Sequence, residues 1–451
     1  MSLLSGLKNK DIGLGRFSLN TGTHFDLATG RYIPGRIGKK NHLILNGGLA
    51  MTNAVTGRPQ TFKSSVAVGY FVKAIKNYSK ALGLVYDSEI SLAGVERIIQ
   101  LGGHDPKPDD PLYDRIELFD KTHCDLGGVF ELIQNISREK EKHRKDFIEE
   151  TPFIDRHGKF MKAWRPTVIL IDSFSAGEFT KQIKMFEEHT VGDAKNNTVY
   201  MGDGNAKTQF MSQLPSLAAK GIYFILTAHV GNKIKLDPYA ADPKELPHMR
   251  GSDHIKRVGT QFTFQSNNLL ETRKVGLLQD NAKPKKCLYP GESGSPVELQ
   301  EIISIVCRCK NNVSGSQVHH ISSQYYGLQE YLEYFNLIKM SKSSLLEGTQ
   351  KFKLGITEHE FTRHNIRKLI KDDYEFSRAL EILGQFVYVR NNWNLPDVKS
   401  IGYVEFCNKL TNCSIKMSDI LNSTGIWSFN SDKRERQYLS ILDIVDLIRK
   451  D

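Results

Sequence analysis

Long hydrophobic runs are missing from this chain. The longest apolar stretches, TVILID (167–172) and IYFILTA (222–228), fall far short of a bilayer span. No apolar core follows MSLLSGLKNK, so no secretory signal and no membrane partner are expected, and the reading is an intracellular, cytoplasmic protein. Cysteine is scarce, at 6 in 451 residues, and no pair has the spacing of a zinc clamp. Cys307 and Cys309 sit one residue apart, as on a strand, and reduced thiols are expected throughout. No internal repeat is visible. Acidic residues are in deficit: 51 Asp and Glu face 61 Lys and Arg, a net charge of +10 that favours polyanionic partners such as nucleic acid. What remains, 39% hydrophobic and 25% charged, is the composition of a globular protein and excludes wholesale disorder.

The length predicts more than one compact core. Residues 1–42, rich in Gly, Lys and Arg, read as an N-terminal arm. From 43 to 329, short apolar runs alternate with longer amphipathic stretches, the α/β pattern. LAMTNAV, LGLVYD, TVILID, IYFILTA and EIISIVCRC are candidate buried strands. They lack strict alternation, as expected where helices cover both faces of a mostly parallel sheet. SSVAVGYFVKAIKNYSKAL, with apolar residues at three- and four-residue steps, predicts a helix. SREKEKHRKDFIEE (137–150) is a charge run, expected to be a solvated helix extension or an insertion. Residues 330–451 read as a mostly helical C-terminal domain.

Chemistry enters at TGRPQTFKSS (56–65), which departs from the phosphate-loop pattern G-x-x-x-x-G-K-[ST] only at Phe62. Such a loop works at a strand-to-helix turn, where backbone N–H groups point at phosphates, the lysine neutralises their oxygens and the hydroxyl holds Mg²⁺. Gly57 follows a candidate strand, and Lys63-Ser64 opens a predicted helix, so the context is right. Phe62 must then adopt a backbone conformation that normally belongs to glycine. The next strand ends in Asp87 and Glu89, where a carboxylate could orient an attacking water. TVILID ends in Asp172, the form of a Walker B carboxylate, and IYFILTAH ends in His229. Loop, acid, second acid and polar sensor thus arrive at successive strand ends.

That order is the one found in the RecA-type ATPase core. GRPQTFKSS followed by YDSE is similar to the phage recombinases of the UvsX type, in which a phenylalanine likewise precedes the lysine and DSE ends the next strand. The resemblance spans roughly residues 45–310 and implies a RecA-like P-loop ATPase using ATP and Mg²⁺. It implies that Gly57, Arg58, Pro59, Gln60, Thr61, Phe62, Lys63, Ser64 and Ser65 hold the nucleotide and that Ser64 and Asp172 hold the metal. Glu89 would be the catalytic carboxylate and His229 the sensor of the terminal phosphate. The segments in the place of the family's DNA loops carry Lys195 and Lys207 in the first, and Arg250, Gly251, Lys256 and Arg257 in the second. Arg308 and Lys310, two residues apart on one strand, stand where paired cations reach a neighbour's phosphate across a subunit interface. GRFSLNTGTHFDLATG (15–30) is a candidate, by position only, for subunit docking.

The function so implied is ATP-dependent DNA recombination. The chain would assemble with itself on single-stranded DNA as a helical filament, pair that strand with double-stranded DNA, and hydrolyse ATP in response to DNA. A phage-encoded origin is part of the same expectation. Two alternatives share the core: a ring-forming hexameric replicative helicase, and a non-hydrolysing structural or mediator paralogue. Retention of Lys63, Ser64, Glu89 and Asp172 together argues against the second.

Overall fold

A computed structural model describes residues 14–37, 40–103, 105–155, 157–180, 183–184, 196–232, 244–251, 253–291, 293–432 and 436–450. In chain order its first strands are β1 (Tyr32–Ile37), β2 (Lys40–Leu45), β3 (Thr52–Gly57), β4 (Leu82–Asp87) and β5 (Ile116–Asp120). Then come β6 (Ile148–Ile154), β7 (Phe160–Trp164), β8 (Thr167–Asp172), β9 (Ile222–Asn232) and β10 (Asp253–Ile255). The last strands of the central sheet are β11 (Asn268–Leu277), β12 (Leu299–Cys309), β13 (Gln317–Ser323) and β14 (Gly327–Leu328).

The central sheet runs β14-β13-β12-β11-β3-β9-β8-β4-β5, with β10 added alongside β9. From β11 to β5 every neighbouring pair is parallel, whereas β12, β13 and β14 are antiparallel additions at one side. Parallel strands buried on both faces need apolar side chains on both, and β3, β8 and β4 are buried almost throughout. The architecture is therefore α/β, a mostly parallel sheet flanked by helices, with a mostly helical region from Glu330 onward.

The helix Lys63–Asn77 follows β3 after the turn 58–62 and packs on the sheet. Val66, Tyr70, Phe71, Ala74 and Ile75 bury its inner face, and Gly69 lets Leu328 approach so closely that a Cβ would stand 2.6 Å from its side chain. The helix is clamped from both sides, which fixes the turn at its N-terminus.

The stretch 15–30 lies inside its own chain, which corrects its reading as a docking arm. Phe25 and Leu27 of the short helix Phe25–Thr29 are fully buried, each worth about 1.5–3 kcal/mol of transfer free energy. A segment so buried in its own fold has no apolar face left to offer a neighbour. It shares one hydrophobic cluster with the C-terminal helices, and Trp393 Nε1 donates to Leu27 O while Tyr334 Oη donates to Gly22 O.

The charge run 137–150 is only partly a solvated extension. It finishes the helix Leu126–Lys142, passes through Arg144–Phe147, and enters β6, which joins β1, β2 and β7 in a four-stranded antiparallel sheet. Lys140 turns inward and donates to Arg165 O, Thr167 Oγ1 and Gly221 O. No helix among the described residues is long and apolar enough to cross a membrane.

Candidate active site at the phosphate loop

The site is built where β3, β4, β8 and β9 end side by side. Gly57 closes β3, and any Cβ there would lie 2.1 Å from Thr272 Oγ1 and 2.4 Å from Thr61 Oγ1, so only glycine fits. Thr61 Oγ1 donates to Arg58 O and lies 2.7 Å from Thr272 Oγ1, pinning the loop to β11. Gln60 and Phe62 both have left-handed backbones, with φ of 63° and 60°. Phe62 thus takes up the conformation the consensus glycine would have, and half-buries its ring against the core. Left-handed residues alternating along a turn aim successive N–H groups into one concavity, which suits an anion. The positive end of a 15-residue helix adds to it. Lys63 is the first helical residue and is 8% exposed. Arg58, Pro59 and Gln60 are exposed; Ser64 and Ser65 are half-buried.

Asp172, at the end of β8, is buried, and Thr227 Oγ1 of β9 donates to its Oδ1 at 2.5 Å. Its Oδ2 has no protein partner among the described residues. Burial pushes this carboxyl up from its ordinary range, opposed by hydrogen bonds from Thr227 and Ser64 and by the charge of Lys63. A buried carboxyl near the Ser64 hydroxyl, with one oxygen unpartnered among the described residues, is what a divalent cation would satisfy. The donors are hard oxygens, the chemistry that Mg²⁺ requires. Ser64 and Asp172 therefore fit the cation expected of them.

β4 delivers its two acids to different tasks. Asp87 is buried and accepts from the backbone N–H groups of Glu89 (3.0 Å), Ser91 (2.6 Å) and Leu92 (2.6 Å), so it shapes the turn. Glu89 points outward, its side chain 40% exposed, with Oε1 lying 3.0 Å from His229 Nε2. Ser88 links the two acid strands: its hydroxyl donates to Ser173 O and accepts from Ser173 N. Lys63, Ser64, Asp172, Glu89 and His229, far apart in sequence, are thereby gathered around one turn.

Among the residues expected on DNA, Lys195 lies outside the described residues. Lys207 is a correction: it is 1% exposed, paired with Asp203 Oδ2 at 2.9 Å and bonded to Ser175 O, so its charge is spent inside the helix Asn196–Ala218. Arg250, Gly251, Lys256 and Arg257 are exposed, and nothing stands within 4 Å of a Cβ at Gly251. Arg308 and Lys310 are not near their own phosphate loop. β12 runs antiparallel to β11, so Arg308 pairs with Leu269, beside Ala54 at the inner part of β3.

Several partners carry no sequence signal. Thr227, Asp253 and Glu271 read as ordinary polar residues within or beside strands, and only pairing shows that each holds a site residue.

No protein-family model matches the sequence, and no curated protein matches it. Among solved structures, a crystal structure of the RadB recombinase is similar at 13% identity and a TM-score of 0.35, over 64% of this chain and 94% of that chain.

Proposed function

We propose that the chain is a DNA-dependent ATPase of the recombinase type, which assembles on single-stranded DNA and promotes pairing with a duplex. The observation that carries the reading is the Glu89–His229 contact at 3.0 Å beside the Ser64–Asp172 pair: a carboxylate, a sensor and a metal pair around one phosphate loop. ATP would lie along residues 57–65, with Lys63 against the terminal phosphates. Mg²⁺ held through Ser64 and Asp172 would supply charge neutralisation there. Glu89 would orient a water for attack on the γ-phosphorus; the bond to the β-γ bridging oxygen breaks, and ADP and phosphate leave. His229 touches Glu89 and also begins the segment that carries Arg250, Lys256 and Arg257, so loss of the terminal phosphate would be felt at the basic loop.

The test is ATP turnover with and without single-stranded DNA, for the natural chain and for Glu89→Gln. We expect DNA to stimulate turnover. The variant should bind nucleotide normally and hydrolyse it roughly 10²–10³-fold more slowly, the usual scale for losing one catalytic electrostatic group. Unchanged hydrolysis in Glu89→Gln would remove Glu89 from its role. Imaging the same mixture separates filaments from rings, the latter supporting the helicase alternative.

A further inference from the structure

We propose that Arg58 and Asp253 form a latch tying β10 to the phosphate loop, and that a nucleoside triphosphate opens it by drawing the Arg58 guanidinium off Asp253. The inference rests on the nucleotide-site reading and concerns its regulation. Arg58 comes directly after Gly57. Its Nε and Nη2 donate to Asp253 Oδ2 (3.2 Å) and Oδ1 (2.5 Å), and Nη2 also donates to Asn232 Oδ1 (2.5 Å). One guanidinium thus grips both β10 and the end of β9, whose Asn232 pairs with Asp253.

The two partners are unequal. The Arg58 side chain is 45% exposed, whereas that of Asp253 is 3% exposed, and among the described residues Arg58 alone donates to its carboxylate. A half-exposed arginine can change partners, and its planar fork suits phosphate as well as carboxylate. A triphosphate bound along residues 57–65 brings several negative charges within its reach. When Arg58 moves, Asp253 becomes a buried carboxylate without a partner, a strongly unfavourable state. The cheapest relief is for Asp253 to reach water, which lifts β10.

Besides Arg58, β10 is held by its pairing with β9, by Ile255 N donating to Glu245 Oε2 at 2.8 Å and by the buried Ile255 side chain. The strand is only three residues long, and its pairing with β9 ends at Val230. The segment's earlier end is anchored independently, because Arg250 N donates to Glu271 Oε2 and Glu271 is itself paired with Arg273. Immediately after β10 comes Lys256, whose N donates to His229 O at 2.8 Å. In the latched state Lys256 lies flat over Gly231, where a Cβ would stand 2.0 Å from its Cε. Opening would free Lys256 from β9, next to Arg257. By linkage, a polyanion that pulled β10 away would release Arg58 to the nucleotide. This route is distinct from the Glu89–His229 contact.

Amide hydrogen exchange on the full chain, with Mg²⁺ and a non-hydrolysable ATP analogue, tests the latch. Analogue binding should protect peptides spanning 57–66 and speed exchange across 253–257 by roughly five- to a hundredfold, the range of coupling between sites. In Asp253→Asn, which leaves no buried charge to relieve, exchange of the second segment should no longer respond to analogue. Arg58→Gln, at an exposed loop position, should likewise lose the response and covers the case in which Asp253→Asn fails to fold. The latch is overturned if 57–66 becomes protected while 253–257 slows or stays unchanged, or if both variants keep the natural response. If 57–66 shows no protection at any analogue concentration, the nucleotide reading itself fails, and the latch with it.

Discussion

At the scale of single residues, Phe62 is the most informative position. A left-handed backbone at a non-glycine residue costs about 1–2 kcal/mol, and here it is held by the clamped helix behind it and by ring packing against the core. The cost depends on the side chain. A β-branched residue is disfavoured in this region more strongly than phenylalanine, and glycine not at all. Phe62→Gly should therefore bind nucleotide within a few-fold of the natural chain, with the lost packing offset by the relaxed backbone. Phe62→Ile should bind about tenfold more weakly or worse, corresponding to at least ~1.4 kcal/mol. Titration with a fluorescent ATP analogue measures both, and equal binding by the two would mean that position 62 is not left-handed when nucleotide is bound. The loop itself was legible in the sequence because its residues are contiguous. The Asp253 that grips its second residue was not, because nothing about an aspartate 195 positions away marks it as a partner.

At the scale of elements, legibility tracked hydrophobic pattern. β3, β4, β8, β9 and β12 stand out as apolar runs, and the helix Lys63–Asn77 as a period. β11 does not, although it lies in the middle of the sheet beside the phosphate-loop strand. Its sequence, NLLETRKVGL, carries Glu271 and Thr272 buried inside the fold, where Arg273, Thr61 and Arg250 satisfy them. Polar residues compensated by distant partners hide a strand from any local reading. Lys140 is the same effect in a helix: four charged neighbours in sequence suggested solvent, yet its stem runs inward to Arg165, Thr167 and Gly221. Burial, aided by the charge of Arg165, pulls its ammonium down to about 7. An unfolded lysine holds its proton to about pH 10.4, so between those values the unfolded chain binds the extra proton and stability rises with pH. The slope is at most about 1.4 kcal/mol per pH unit. Denaturant midpoints of the natural chain should climb from pH 7 to pH 9.5 relative to those of Lys140→Met, which lacks the titrating group. Parallel profiles would show that Lys140 keeps its charge in the fold.

At the scale of the whole molecule, the sheet separates two things that the resemblance places on one phosphate. The loop leaves β3 at Gly57, whereas β11 pairs Asn268 with Asn53, and β12 pairs Cys309 with Asn268. Arg308 and Lys310 therefore lie toward the opposite end of the sheet, about 13 Å back along the strand direction at ~3.3 Å per residue, and two strands to the side. Side chains cannot bridge that within one chain. Yet the pair is arranged as though for an anion: burial and then the charge of Arg308 hold the Lys310 ammonium below its ordinary range, and Arg308 Nε is buried with no partner among the described residues. An arrangement in which one copy's Arg308 end meets the next copy's loop end is heterologous, and such contacts repeat into rings or filaments. This gives a test that no property of a single chain can mimic. Lys63→Ala removes the loop lysine but leaves the cations; a double Arg308→Ala, Lys310→Ala variant does the reverse. Each alone should turn over ATP at a small fraction of the natural rate. Mixed on single-stranded DNA, a fraction of junctions would join an intact loop to intact cations, and turnover should rise well above the sum of the separate rates, toward about a quarter of the natural rate for random assembly of equal amounts. If Arg308 and Lys310 served only their own chain, mixing would restore nothing, and the rate would stay at the average of the two variants.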